Sequence, residues 1–147
     1  MVKQIIILIF FSISTLSCVR YDYAGNNKQD PIIKSIDKKL SNRKANWVWS
    51  KMLHHGDSII RYSAYTKNNQ LVDLFLNENN GSKKTFYNLV DGQLVKVQHF
   101  PIDKNKRNIY FFEDGRFLFK RQAIVDSTDP YKFLKDINSF KIIFSLK

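Results

Sequence analysis

Apolar and polar positions alternate along most of the chain after residue 45, and this period of two predicts β-strands. The alternating runs are rich in β-branched and aromatic residues, and pairs such as Asp91-Gly92 separate them. These pairs accept the positive φ angles of tight hairpin turns, so neighbouring strands are expected to pair antiparallel. The pattern predicts eight strands, at about residues 46–53, 58–66, 70–77, 84–90, 93–100, 107–113, 116–124 and 140–146.

The predicted turns recur at a fixed spacing of 23 residues. One set begins at Asn68, Asp91 and Asp114, and a second set, out of phase with the first, lies at positions 57, 80, 103 and 126. Consecutive hairpins at one spacing predict an up-and-down antiparallel meander, whose two sets of turns lie at opposite ends of the sheet. The pattern is compatible with an open sheet and with closure as a barrel through pairing of the last strand with the first.

Two segments show helical spacing instead. Asp30-Pro31 is a helix-start signal, and the apolar residues after it predict a short amphipathic helix over residues 31–40. Packing of this helix against the domain is favoured, and a helix lying on the membrane beside the anchor is the alternative. Asp129-Pro130 opens a second predicted helix, which ends at about Ile137. Strands six and seven are apolar on both sides, so both of their faces should be covered, and the second helix is the obvious cover.

The N-terminus has the organisation of an export signal. One lysine precedes the apolar run of residues 5–11, and small hydroxyl residues lead to the only cysteine, Cys18. The run is too short to span a bilayer as a helix, which takes about 20 residues. The sequence predicts a signal peptide at 1–17, a flexible linker at 18–29 and a single β-rich domain at 30–147. An ordinary secreted protein and a retained signal anchor are the alternatives.

Residues Thr15-Leu16-Ser17-Cys18 resemble the lipobox of bacterial lipoproteins. The resemblance implies that Cys18 is acylated, becomes the first residue of the mature chain and anchors it in the bacterial cell envelope. Val19-Arg20 differs from the aspartate that retains some lipoproteins at the inner membrane, which favours the outer membrane.

The body of the chain resembles two families. The hairpin repeat is similar to MORN-type repeats, best seen in residues 87–94 and 110–117, and that family is associated with lipid binding. Eight strands, a late helix and tryptophans at the first strand, Trp47 and Trp49, resemble a lipocalin-like barrel. The second resemblance implies a carrier of a small apolar ligand. Neither resemblance names a specific function.

Charge indicates the kind of partner. The chain has 24 basic and 13 acidic residues, a net charge of +11, which favours an anionic lipid, a glycan or an acidic protein. Nucleic acid is not expected, because the chain is predicted to be exported. The second set of turns should gather its charges along one rim of the sheet, and the first set, the inner turns, should be nearly neutral. The predicted anion-binding residues are Lys83, Lys84, Lys104, Lys106 and Arg107. The alternative is that these residues only keep turns soluble and guard strand edges.

Candidate chemistry is scarce. His55, Asp57 and His99 are predicted at one end of the sheet, where a metal site is conceivable, although polar turn residues are the simpler interpretation. His54 is adjacent to His55, and neighbouring side chains in a strand point to opposite faces. No nucleophile motif, phosphate-binding glycine loop or spaced carboxylate pair is present, so neither catalysis nor a metal or cofactor is predicted. An interaction or scaffolding module is favoured over a carrier, and both are favoured over an enzyme.

Overall fold

The computed structural model describes residues 29–55, 57–78, 81–101 and 106–147. Its fold is mainly β, with seven antiparallel strands in one meander sheet of order β1 to β7 and two helices. The strands are β1 (Trp47–His55), β2 (Ser58–Lys67), β3 (Gln70–Glu78), β4 (Lys83–Val90), β5 (Gln93–Phe100), β6 (Asn108–Glu113) and β7 (Arg116–Arg121). The helices are α1 (Asp30–Ser41) and α2 (Pro130–Ile143). The predicted meander is confirmed.

The inner hairpin turns have the backbone that the sequence predicts. Asp91 and Gly92 have φ angles of 50° and 75°, and Asp114 and Gly115 have 49° and 73°. Asn68 and Asn69 also have positive φ angles, of 51° and 61°. Two successive residues with positive φ are the mark of type I′ turns, whose twist matches that of the strands they join. Local turn chemistry therefore sets the strand order.

The predicted eighth strand at 140–146 is wrong, because α2 continues to Ile143. Phe133, Ile137 and Phe140 recur at helical spacing and are all buried, and the Phe140 ring lies 5.6 Å from the ring of Tyr62. This contact with the sheet holds the segment as a helix. In the described part of the chain the sheet therefore has seven strands and is not closed, with β1 and β7 as its edges, so a barrel is not shown.

The seventh strand is also shorter than predicted. β7 ends at Arg121 rather than at residue 124. The reason is a side-chain contact, because the Asn108 Oδ1 atom accepts hydrogen bonds from the backbone N–H groups of Ala123 (2.9 Å) and Ile124 (3.1 Å). These bonds turn the chain away from the sheet edge and toward α2.

α2 covers one face of the sheet. Asp129 caps the helix by accepting a hydrogen bond from the Tyr131 backbone N–H at 3.0 Å, and Pro130 occupies the first turn. The Phe133 ring meets those of Tyr110 and Tyr87 edge-on, with centroids 4.8 and 5.9 Å apart. This aromatic layer forms the larger core, with Leu74, Leu89, Val97, Phe112 and Ile137.

α1 covers part of the opposite face. Ile36 packs against Ile109 and Phe111 in a second core, and the side chain of Asp37 accepts a bond from Lys96 at 2.7 Å. β6 is therefore covered on both sides, as its two apolar faces predicted, with one helix on each. The predicted packing of α1 against the sheet is also confirmed. Among the described residues, neither helix has the length and apolarity needed to cross a bilayer.

Candidate anionic-partner surface

The structure brings four of the five predicted anion-binding residues to one end of the sheet. Lys83 and Lys84 begin β4, and Lys106 and Arg107 directly precede β6. Strand register joins the two pairs, because Lys84 lies beside Phe100 and the neighbouring His99 lies beside Asn108. We call this end the basic rim. Lys104 lies outside the described residues.

The basic rim is less strongly positive than its lysines alone indicate. Glu78 lies directly opposite Lys83 in the register of β3 and β4. Lys83 and Lys106 are exposed, whereas Lys84 and Arg107 are half-buried. Lys83, Lys84 and Lys106 make no ion pair with any described residue. The rim thus offers accessible cations, with the Glu78 carboxylate opposite Lys83 and the Asp126 carboxylate 3.5 Å from Asn108, the residue after Arg107.

On the side of the sheet that carries α1, the surface of β1 to β4 contains an uncovered area. Lys84 is part of this uncovered area. Register places Arg61, Asn77 and Lys84 in one row across β2 to β4. Ser63, Phe75 and Phe86 form the next row. The rings of Phe75 and Phe86 stack 4.4 Å apart, and Phe100 meets Phe86 edge-on at 6.0 Å. We call this surface the open face, and it consists of Val48, Met52, Arg61, Tyr65, Phe75, Lys84, Phe86 and Phe100.

The open face exposes several apolar side chains close together on the sheet. Val48 is 60 % exposed, Met52 49 %, Tyr65 38 % and Phe86 36 %. Among the described residues of β1 to β4, the carboxylate on this side is Asp73, which binds Arg43 and Asn88 at 2.8 Å each. The Asp73 carboxylate therefore does not pair with the positive charges of Arg61 and Lys84. An apolar patch with unpaired cations at its border is typical of an interaction surface.

Sequence reasoning did not assign Arg61, Phe75, Phe86 and Phe100 to a site. A signal was present, because Phe75 and Phe86 fall at the positions of β3 and β4 that alternate with the core residues Leu74 and Tyr87. Polar residues are expected at such positions when a sheet has one wet face. Large aromatic residues at these positions indicate that the second face of the sheet also makes a contact.

His99 is a packed residue of the core side. Its Nδ1 atom lies 2.9 Å from the Thr85 Oγ1 atom, and its ring lies 5.6 Å from that of Phe133. Burial lowers the pKa of His99. His54 and Asp57 are exposed. Within the described ranges, no group of three or more His, Cys, Asp or Glu residues is placed to hold a metal ion.

Asp126 fastens the segment before α2 to the sheet. Its carboxylate accepts hydrogen bonds from the Tyr110 hydroxyl at 2.8 Å and from the Thr128 hydroxyl at 2.7 Å. Burial raises the pKa of Asp126, but these bonds outweigh it and the net shift is downward. Burial and the bond to Asp126 both raise the pKa of Tyr110. Each group has a partner within the fold, so the cluster serves structure.

Aromatic side chains fill the middle of the space between the sheet and α2. Tyr87, Tyr110, Phe112 and Phe133 are each at most 1 % exposed. A cleft of about 230 Å³ remains beside them, between α2 and strands β2 and β3, and it is partly open to solvent. An internal carrier site requires an enclosed cavity in the middle of the core, and close-packed rings occupy that position here.

Cys18 and the predicted signal peptide and lipobox lie outside the described residues. Comparison of the sequence with known protein families, with curated proteins and with solved structures finds no match in any of the three.

Proposed function

We propose that this chain is a non-catalytic lipoprotein of the bacterial cell envelope. Anchored in the outer membrane through acylated Cys18, it acts as an interaction or scaffolding module. Its partner is anionic and contacts the basic rim together with the open face. The observation that carries the proposal is the open face, where the exposed Phe86 lies in the row next to the cations Arg61 and Lys84.

The energetics of such a surface favour an anionic partner with an apolar part. A lysine or arginine near an anionic lipid surface contributes about 1 kcal/mol. Apolar area removed from water adds about 25 cal/mol per Å². The two contributions meet at Lys84. This residue lies beside the apolar Phe100 in the strand register and follows the basic Lys83 in the sequence.

The position of the proposed anchor is compatible with this contact. α1 is the first described element and lies on the same side of the sheet as the open face, with Asp30 bonded to Arg121 of β7 at 2.6 Å. A spacer over residues 18–29 reaches at most about 40 Å. Seven strands span about 30 Å. A chain tethered at Cys18 can therefore turn the open face toward the membrane or toward a partner beside it.

A carrier of a small apolar ligand is the alternative, and the filled aromatic core beneath α2 disfavours it.

Two exposed tyrosines on opposite sides of the molecule provide a matched test. Tyr65 lies on the open face and is 38 % exposed, and Tyr131 lies on α2 and is 52 % exposed. Each is replaced in turn by a photo-crosslinking phenylalanine analogue in intact cells. The proposal predicts a crosslinked partner from position 65 and none from position 131, and a lower yield from position 65 when Arg61→Glu and Lys84→Glu are added. Equal crosslinking at both positions, or none at position 65, contradicts it.

A further inference from the structure

A second basic site lies at the end of the sheet opposite the basic rim. There the end of α1 approaches the turn between β2 and β3, and the two enclose a cleft of about 240 Å³. Its polar walls come from Lys39, Asn42, Lys44, Lys67 and Gln70. We call it the lysine cleft. The sequence predicted a nearly neutral set of turns at this end, and the fold adds the lysines of α1 and of the segment after it.

The charges of the lysine cleft are unbalanced. Lys39, Lys44 and Lys67 are exposed and make no ion pair with any described residue. Asp91 is the carboxylate in the wall of the cleft. A lysine in the last turn of a helix is partly explained by the helix dipole, which suits Lys39. The helix dipole does not explain Lys44, which follows the helix, or Lys67, which lies at the end of a strand.

Arg43 holds the cleft in shape. Its Nη1 atom donates to the carbonyl oxygens of Val72 and Leu89, both at 2.6 Å, and contacts the Asp73 carboxylate at 2.8 Å. Its Nε atom donates to the Leu40 carbonyl oxygen at 3.3 Å. Arg43 thus ties the end of α1 to two strands and fixes the backbone of the cleft wall next to Lys44. Such preorganisation lowers the entropic cost of binding.

We propose that the lysine cleft binds a phosphate group. Lys39, Lys44 and Lys67 supply positive charge, and the side-chain amides of Asn42 and Gln70 supply hydrogen-bond donors. The volume of the cleft accommodates a phosphate and the atoms next to it, so the ligand is a free phosphate compound or the head group of an anionic lipid. Arg43 is a positioning residue. This site is separate from the open face, and the inference goes beyond the proposed function.

The test uses the mature lipidated chain in detergent micelles. One arm titrates inorganic phosphate, and the other titrates phosphatidylglycerol in mixed micelles, both followed by amide chemical shifts. The double variant Lys44→Gln and Lys67→Gln should weaken binding about tenfold, since two charge-assisted contacts are lost. The control, Lys34→Gln with Lys135→Gln, makes the same charge change at exposed positions outside the cleft lining and should alter affinity by less than about twofold.

The two arms identify the source of the phosphate. Binding of inorganic phosphate that depends on Lys44 and Lys67 supports a free phosphate compound, and binding of phosphatidylglycerol alone with the same dependence supports a lipid head group. No binding in either arm overturns the proposal. Equal weakening in the cleft variant and the control also overturns it, because general charge would then explain the affinity. Neither result bears on the open face, whose residues are unchanged in all variants.

Discussion

His99 shows how a single polar residue is absorbed into the core. Its ring contacts Phe133, and its Nδ1 atom pairs with the hydroxyl of Thr85. The sequence placed His99 correctly at one end of the sheet, since the turn spacing fixes where β5 ends. It did not predict these two neighbours, because Thr85 comes from another strand and Phe133 from a helix 34 residues further along. Such contacts depend on the packed structure and have no local signal.

The packing of His99 predicts a dependence of stability on pH. Burial lowers the pKa of His99 below its usual 6.5. As the pH falls below 6.5, the unfolded chain takes up a proton before the folded chain does, so the free energy of unfolding decreases until the folded pKa is reached. His99→Gln should therefore show a smaller fall of the urea midpoint between about pH 7 and pH 5 than the wild type.

His54→Gln is the control for this experiment. His54 is exposed, so the wild-type slope should be retained. If His99→Gln and the wild type lose stability in parallel over this range, the partly buried His99 is not the cause.

At the level of elements, local sequence preferences predicted the strands and the inner turns correctly. They did not predict where α2 ends. Residues such as Asp91 and Gly92 determine a turn by their own backbone preferences. The segment Phe140-Lys141-Ile142-Ile143-Phe144 is apolar and β-branched, which favours a strand when taken alone. The contact of Phe140 with Tyr62 and its stacking on Phe144 at 4.3 Å decide for a helix. Tertiary packing outweighs weak local propensity here.

A proline in the second half of α2 tests this helix. Ser139 is exposed, within the span Pro130–Ile143. Ser139→Pro removes an interior helix hydrogen bond and should lower the free energy of unfolding by about 3 kcal/mol or more. Ser139→Ala keeps this hydrogen bond and should change the free energy of unfolding by no more than about 0.5 kcal/mol. Urea unfolding measures both, and a Ser139→Pro variant as stable as the Ser139→Ala variant would mean that the helix ends before this residue.

At the scale of the molecule, the two sides of the sheet are covered to different extents. α2 packs on one side over an aromatic core, whereas α1 covers part of the other side, with Ile36 packed against β6, and leaves the open face uncovered. The sequence predicted the basic rim, because the turn spacing alone sends Lys83 and Lys106 to the same end. It could not predict that Lys84 borders an uncovered aromatic surface, since this depends on where α1 lies. The lysine cleft could not be predicted for the same reason, because it too depends on where α1 lies.

The measurement that tests the account most directly is native mass spectrometry of the chain extracted from its own membrane. The wild type is compared with the double variant Arg61→Glu and Lys84→Glu, and Lys34→Glu with Lys135→Glu serves as the charge control. We expect a mature chain that begins at acylated Cys18 and carries an anionic partner, which the open-face variant loses and the control keeps. A chain that retains residues 1–17 with a free thiol contradicts the anchor. A partner retained equally by both variants contradicts the contact surface.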